Sequence, residues 1–155
     1  MPAEWLLDVE PLVHESRIKV PYSWSVGDTG SRFLTELRDH RRILGKKCAE
    51  CQTVYVPPRK MCPRCFQDTG PWTEVGPQGT LVTYTVVHYD TGLSPLKAPF
   101  AYGVLLLDGS STGLVHLLGE VDLVSLHEGI RVEPVFREQR VGHILDIAYF
   151  RPAGG

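Results

Sequence analysis

Cys48-Ala49-Glu50-Cys51, ten residues, then Cys62-Pro63-Arg64-Cys65 is the stretch from which the rest of the chain is read, and it holds every cysteine in the sequence. A C-x-x-C pair folds into a tight knuckle that presents two thiolates to a metal at about 2.3 Å. The spacer is long enough to turn the chain back, so that the second knuckle faces the first. A single pair can serve redox chemistry, but two pairs with no cysteine left over favour a metal site. Two disulfides would need an oxidising compartment, and no signal-type segment opens the sequence. Zinc accepts four sulfurs without redox chemistry, so the expectation is a closed, structural four-cysteine zinc ribbon; iron is the alternative ion. Knuckles often carry glycine after the second cysteine, where the backbone turns toward sulfur; here Gln52 and Phe66 stand in those places.

The remaining composition is that of an ordinary globular chain. At 155 residues it allows one domain or two very small ones. No apolar run approaches the roughly 18 residues that span a bilayer, so a cytoplasmic, membrane-free protein is expected. A net charge of −2 argues against general affinity for nucleic acid. The charge is uneven, however: residues 38–64 carry eight basic residues against two acidic ones. These cations either offset a doubly negative four-thiolate zinc site or form a docking surface for phosphates or an acidic partner. Of the eight, Arg59, Lys60 and Arg64, beside the second knuckle, are the candidates for contact with phosphate or a partner.

Outward from the cysteines, three regions are expected: an N-terminal arm (1–30), a helix with the ribbon (31–75) and a barrel (76–155). The arm carries Trp5, Leu6, Leu7, Tyr22 and Trp24 between prolines, and packs on the body or on another subunit. Phe33, Leu34 and Leu37 at helical spacing predict a short helix over 31–40, capped by Asp28 or Ser31. Strands over 41–47 and 52–56 frame the first knuckle. Turn clusters over 68–71 and 76–79 separate ribbon from barrel, with Trp72 packed between them.

From Thr80 the sequence turns to β-branched and aromatic residues. Strict alternation over 80–89 would set Leu81, Thr83, Thr85, Val87 and Tyr89 on one face. The apolar run 102–107 reads as a strand buried on both sides. Strands over 114–118, 129–136 and 144–150 follow, with 122–128 covering one barrel end. Five strands, tight turns and no long helix predict a small closed barrel of the oligonucleotide/oligosaccharide-binding (OB) type. The fold is therefore mainly β: short helix, four-cysteine zinc ribbon, five-stranded OB barrel.

In this order the parts resemble the family catalogued as domain of unknown function thirty-five. The resemblance rests on 33–37, the two C-x-x-C pairs, 79–88, 99–109 and 129–132. It implies a rubredoxin-like zinc ribbon followed by an acyl-CoA-associated OB fold. It also implies an accessory role beside a thiolase-fold subunit that holds the cysteine nucleophile, with acyl-CoA shared between the two. The chain is similar to thiolase small subunits, including the benzoylsuccinyl-CoA thiolase type in aromatic-compound β-oxidation.

The residues themselves offer no independent catalytic site. All four cysteines are committed to metal, and no G-x-S-x-G, H-E-x-x-H, G-x-G-x-x-G or P-loop pattern occurs. His88, His116, His127 and His143 are scattered and lack an identifiable partner. In the loop 90–100, Lys97 is, like Arg59, Lys60 and Arg64, a candidate for a CoA phosphate, and Leu93, Leu96 and Phe100 for an acyl passage. The competing class is a nucleic-acid-binding ribbon/OB module, which needs a basic groove with stacking aromatics and is disfavoured by the acidic barrel half.

Overall fold

The computed structural model describes residues 22–90 and 96–154. The reading of Trp5, Leu6 and Leu7 as an arm, and of Leu93 as a passage residue, lies outside the described residues. Among the described residues no helix is long and apolar enough to cross a membrane.

Helix α1 spans Gly27–His40 and buries Phe33 and Leu37, with Leu34 packed beside them. It starts four residues earlier than the apolar spacing indicated. Val26 is the N-cap and makes no side-chain cap bond; instead Ser25 Oγ accepts from Gly27 N at 3.1 Å. Asp28, expected to cap, lies in the first turn, where its charge opposes the positive helix end. The helix stops at Arg41, whose left-handed φ of 56° turns its N–H back to the Glu36 carbonyl. An ion pair between Arg42 and Glu36 at 2.7 Å spans that stop.

Three short strands form the ribbon sheet: β1 (Leu44–Lys47), β2 (Val54–Tyr55) and β3 (Trp72–Glu74), in the order β2-β1-β3 and antiparallel. The third strand was not legible. Trp72, expected to pack between two turns, pairs instead with Lys46 across the sheet. Three residues flanked by Pro71 and Gly76 are too few to show a period.

Five strands close the barrel: β4 (Gly79–Val87), β5 (Phe100–Leu107), β6 (Leu114–Leu118), β7 (Arg131–Phe136) and β8 (Ile147–Pro152). Their order is β4-β5-β6-β8-β7, closed by Gly79 opposite Val132 and with a parallel contact between β6 and β8 at Leu118 and Phe150. The predicted fifth strand over 144–150 begins instead with a 3₁₀ turn, Ile144–Asp146. Asp146 accepts the backbone N–H groups of Val141, Gly142 and His143 at 3.0, 2.8 and 3.2 Å, which holds the chain out of extended geometry. Burial pushes the Asp146 carboxyl up, but the three amides outweigh it and hold it below the usual carboxylate range.

Two face assignments differ from strict alternation. Along β4 the register slips: Leu81 opposes Leu105, whereas Thr83 opposes Val104. Val82 is the extra residue of a bulge and is 47% exposed. Tyr84 and Val86 therefore face the core, not Thr83 and Thr85. In β5 only Ala101, Gly103, Leu105 and Leu107 point inward, while Leu106 is 39% exposed. A closed barrel has one interior, so the apolar run is buried on one side. Gly103 is required there: a Cβ would lie 2.5 Å from Leu81 Cδ1 and 3.2 Å from Leu118.

Ribbon, helix and barrel share one apolar core, running from Phe33, Leu37, Val54 and Val56 to Leu81, Leu105, Ile147 and Phe150. The turn between β5 and β6 seals the junction. Ser111 N donates to Val54 O at 2.9 Å, and the Ser111 and Thr112 hydroxyls accept from Val54 N and Val56 N at 3.0 and 2.8 Å. Those bonds satisfy the free edge of β2, which would otherwise present unpaired backbone groups. Arg140 Nε donates to Arg38 O at 2.7 Å and ties the loop before β8 to the helix.

Candidate metal centre

The first knuckle follows β1 and the second follows the Pro57-Pro58 turn after β2. Cys48 N bonds to Thr53 O at 2.9 Å, and Cys62 N to Gln67 O at 2.8 Å, so each loop closes on itself. Gln52 and Phe66 adopt φ of 59° and 56°. The left-handed turn that glycine would supply is thus made without glycine, at about 1–2 kcal/mol for each residue.

This geometry brings the sulfurs of Cys48, Cys51, Cys62 and Cys65 within 4.8 Å of one another, with Cys48 and Cys62 fully buried. A tetrahedral ion with metal–sulfur bonds of about 2.3 Å sets sulfurs about 3.8 Å apart. Cys51 and Cys62 Sγ lie 3.7 Å apart, and all four cysteines are free rather than disulfide-bonded. The donor set fits a tetrahedral ion, which these four residues would hold; when bound, the ion supplies a cross-link between the knuckles.

Two residues that spacing alone did not single out support the sulfurs. Tyr55 hydroxyl lies 3.2 Å from Cys62 Sγ, and Thr53 Oγ1 lies 3.2 Å from Cys51 Sγ. Once the sulfurs are thiolates both hydroxyls are donors. The Tyr55 hydroxyl, with the amides of Cys65 and Arg64, holds the Cys62 thiol at about 6, and the same bond, together with burial, pushes Tyr55 up to about 12. Burial and the neighbouring sulfurs push Cys65 up to about 12, because four thiols in one pocket cannot all ionise without a cation.

The other candidate residues are not gathered into one site. Arg59 lines a cleft of about 560 Å³ with Pro57, Pro58, Pro63 and Thr112, between ribbon and barrel. Lys60 lines a second cleft beside α1. Arg64 is exposed on the second knuckle. Lys97 and the buried Phe100 line a third, smaller cavity of about 310 Å³ with Leu118, Gly119 and Leu123. Two histidines bond the backbone: Nδ1 of His116 and of His143 each accepts a backbone N–H. Among the described residues no imidazole hydrogen-bonds to a carboxylate.

A four-cysteine ribbon docked on a closed five-stranded OB barrel defines the class. Residues 35–69 match the ChsH2 rubredoxin-like zinc ribbon domain, and residues 72–137 match the ChsH2 C-terminal OB-fold domain. The chain belongs to the DUF35 family and carries ChsH2-type zinc-ribbon and OB-fold domains. It is 26% identical over 107 residues to a DUF35 domain-containing scaffold protein of Methanocaldococcus jannaschii, covering 68% of this chain and 75% of the relative. A scaffold protein of the same description from Methanothermobacter thermautotrophicus is 28% identical over 100 residues, covering 63% and 74%. Among solved structures, the Ltp2-ChsH2(DUF35) aldolase matches with a TM-score of 0.62 at 22% identity, covering 84% of this chain and 98% of the other. A DUF35 protein of unknown function from Sulfolobus solfataricus matches with a TM-score of 0.59 at 22% identity, covering 82% and 83%. At that identity the likeness is one of fold.

Proposed function

We propose that this chain is the accessory subunit of a thiolase-type enzyme acting on a CoA thioester. It holds zinc for shape, steadies a thiolase-fold partner and helps enclose the acyl-CoA. The observation that carries the reading is the commitment of all four cysteines to one tetrahedral cluster, which leaves none as an acyl nucleophile. In the proposed reaction the partner's cysteine attacks the keto carbon of a β-ketoacyl-CoA. The carbon–carbon bond then breaks, the departing carbanion takes a proton to give the shorter acyl-CoA, and free CoA receives the enzyme-bound acyl group. The small chain contributes water exclusion and placement. The description of its relatives as scaffold proteins, and the pairing of a DUF35 chain with Ltp2 in the aldolase structure, support a partnered role. The benzoylsuccinyl-CoA type is the finer form of the proposal.

The test is co-purification of the chain with a thiolase-fold enzyme from its native cell, followed by assay of that enzyme with and without the chain. The expected result is β-ketoacyl-CoA cleavage that depends on the complex. Cleavage by the partner alone at the same rate, or turnover of acyl-CoA by the isolated small chain, would overturn the reading.

A further inference from the structure

The cleft beside Lys60 is not absorbed by the metal centre or by the barrel. It lies between the first turn of α1 and the ribbon sheet, and is lined by Arg32, Lys46, Lys60, Thr69 and Trp72, with Asp28 and Asp68 also on its wall. Arg32 Cζ sits 4.8 Å and Lys46 Nζ 5.5 Å from the centre of the Trp72 ring. Two like charges are thus drawn to one indole. None of the ion pairs among the described residues includes Arg32, Lys46 or Lys60. Some surface arginines are paired, Arg42 with Glu36, Arg131 with Asp108 and Arg151 with Glu120, while Arg41, Arg59 and Arg64 are in no ion pair among the described residues either; the convergence on Trp72 is what marks this cleft. The indole holds the cations in place, since attraction to a ring face is worth about 0.5–1 kcal/mol at exposed sites. It does not neutralise them.

We propose that this cleft binds the phosphate of a small phosphorylated molecule, with Arg32 and Lys46 as donors steadied on Trp72 and Lys60 closing the third side. Arginine offers a planar fork to phosphate oxygens, and lysine a movable ammonium. The cleft volume of about 540 Å³ suits a nucleotide-sized ligand rather than an extended strand. A single-strand binder would need successive stacking aromatics, and this wall has Trp72 alone. The site lies on this chain by itself, so it does not depend on the identity of any partner. Asp28 and Asp68 on the same wall oppose the bound phosphate and weaken the site.

Calorimetric titration of the full-length, metal-loaded chain tests this, with adenosine 3′,5′-bisphosphate, inorganic phosphate and adenosine as separate probes. The bisphosphate is expected to bind and to weaken as salt rises. Competition by inorganic phosphate would show that the phosphate alone is recognised; its failure to compete would assign recognition to the nucleotide phosphoester. Arg32→Ala and Lys46→Gln are each expected to weaken binding about tenfold. Lys46→Arg should restore most of it, and Asp28→Asn should tighten it. Retained metal content in each variant shows that the ribbon is intact. Equal binding of adenosine, unchanged affinity in both charge-removing variants, tighter binding of a single-stranded oligonucleotide, or no binding would overturn the proposal. Partner dependence of catalysis is a separate readout, so either claim can fail while the other stands.

Discussion

The ribbon and the barrel are held together by different forces. Around the cysteines the buried cluster is Cys48, Tyr55 and Cys62, too small to order the segment by apolar burial. The barrel buries Leu81, Leu105, Leu107, Leu114, Leu118, Val132, Ile147 and Phe150 with no ligand. Order in the knuckles therefore depends on metal, whereas the barrel, and the ribbon strands whose Leu44, Val54 and Val56 join its core, depend on the hydrophobic effect. Chelation should separate the two regions most sharply. Apparent metal binding in ribbons of this type is worth about 10–16 kcal/mol. Removing the ion, or changing Cys62→Ser, is expected to abolish amide-exchange protection in the knuckles, at Cys48, Cys62 and Phe66, while β4–β8 keep theirs. Equal loss in both regions would erase the distinction.

Next in size are changes inside the barrel. Leu105→Ala should cost about 2–5 kcal/mol in urea unfolding of the metal-loaded protein, as a cavity opens at a fully buried site. Gly103→Ala should cost about 1–3 kcal/mol by overpacking against Leu81. Neither should change the metal content. At the seam, Thr112→Val removes the acceptor for Val56 N and the hydroxyl donor to Val56 O. The expected loss is about 1–3 kcal/mol, with earlier exchange of the Val54 and Val56 amides.

A smaller effect should follow pH. His116 is 4% exposed, its Nδ1 accepts Leu117 N at 2.9 Å, and its Nε2 has no partner among the described residues. Burial lowers its pKa below the usual value, outweighing the raising influence of nearby backbone groups. The unfolded chain therefore takes up a proton before the native one does. The stability from keeping His116 neutral is fully present above about pH 6.5 and is lost as pH falls below it, toward the lower native value. Barrel unfolding midpoints compared at pH 7.5 and 5.5 should show a larger drop for the native sequence than for His116→Leu. Smallest of all, Phe66→Gly should relieve about 1 kcal/mol of left-handed strain at the second knuckle. The readout is slower metal release to a chelator.

The legible parts of the molecule were those written in short-range pattern. The cysteine spacing predicts the knuckles, and the apolar run at 114–118 coincides with the strand Leu114–Leu118. Alternation failed where one extra residue, Val82, bulges out of β4 and reverses every side chain after it. It failed again at β3, where Trp72–Glu74 is recruited by β1 and shows no period of its own. Tyr55 and Thr53 were invisible as sulfur ligands' neighbours because contact across the knuckles is set by the fold. The convergence of Arg32 with Lys46 on Trp72 joins three elements distant in sequence.

The central claim is that sulfur in this chain shapes the protein and does not carry acyl groups. Peptide mass mapping of the proposed complex with a thiolase-fold partner, quenched during turnover of a β-ketoacyl-CoA, tests it directly. The expected result is an acyl group on a cysteine of the partner and none on Cys48, Cys51, Cys62 or Cys65. An acyl group trapped on any of those four would contradict it.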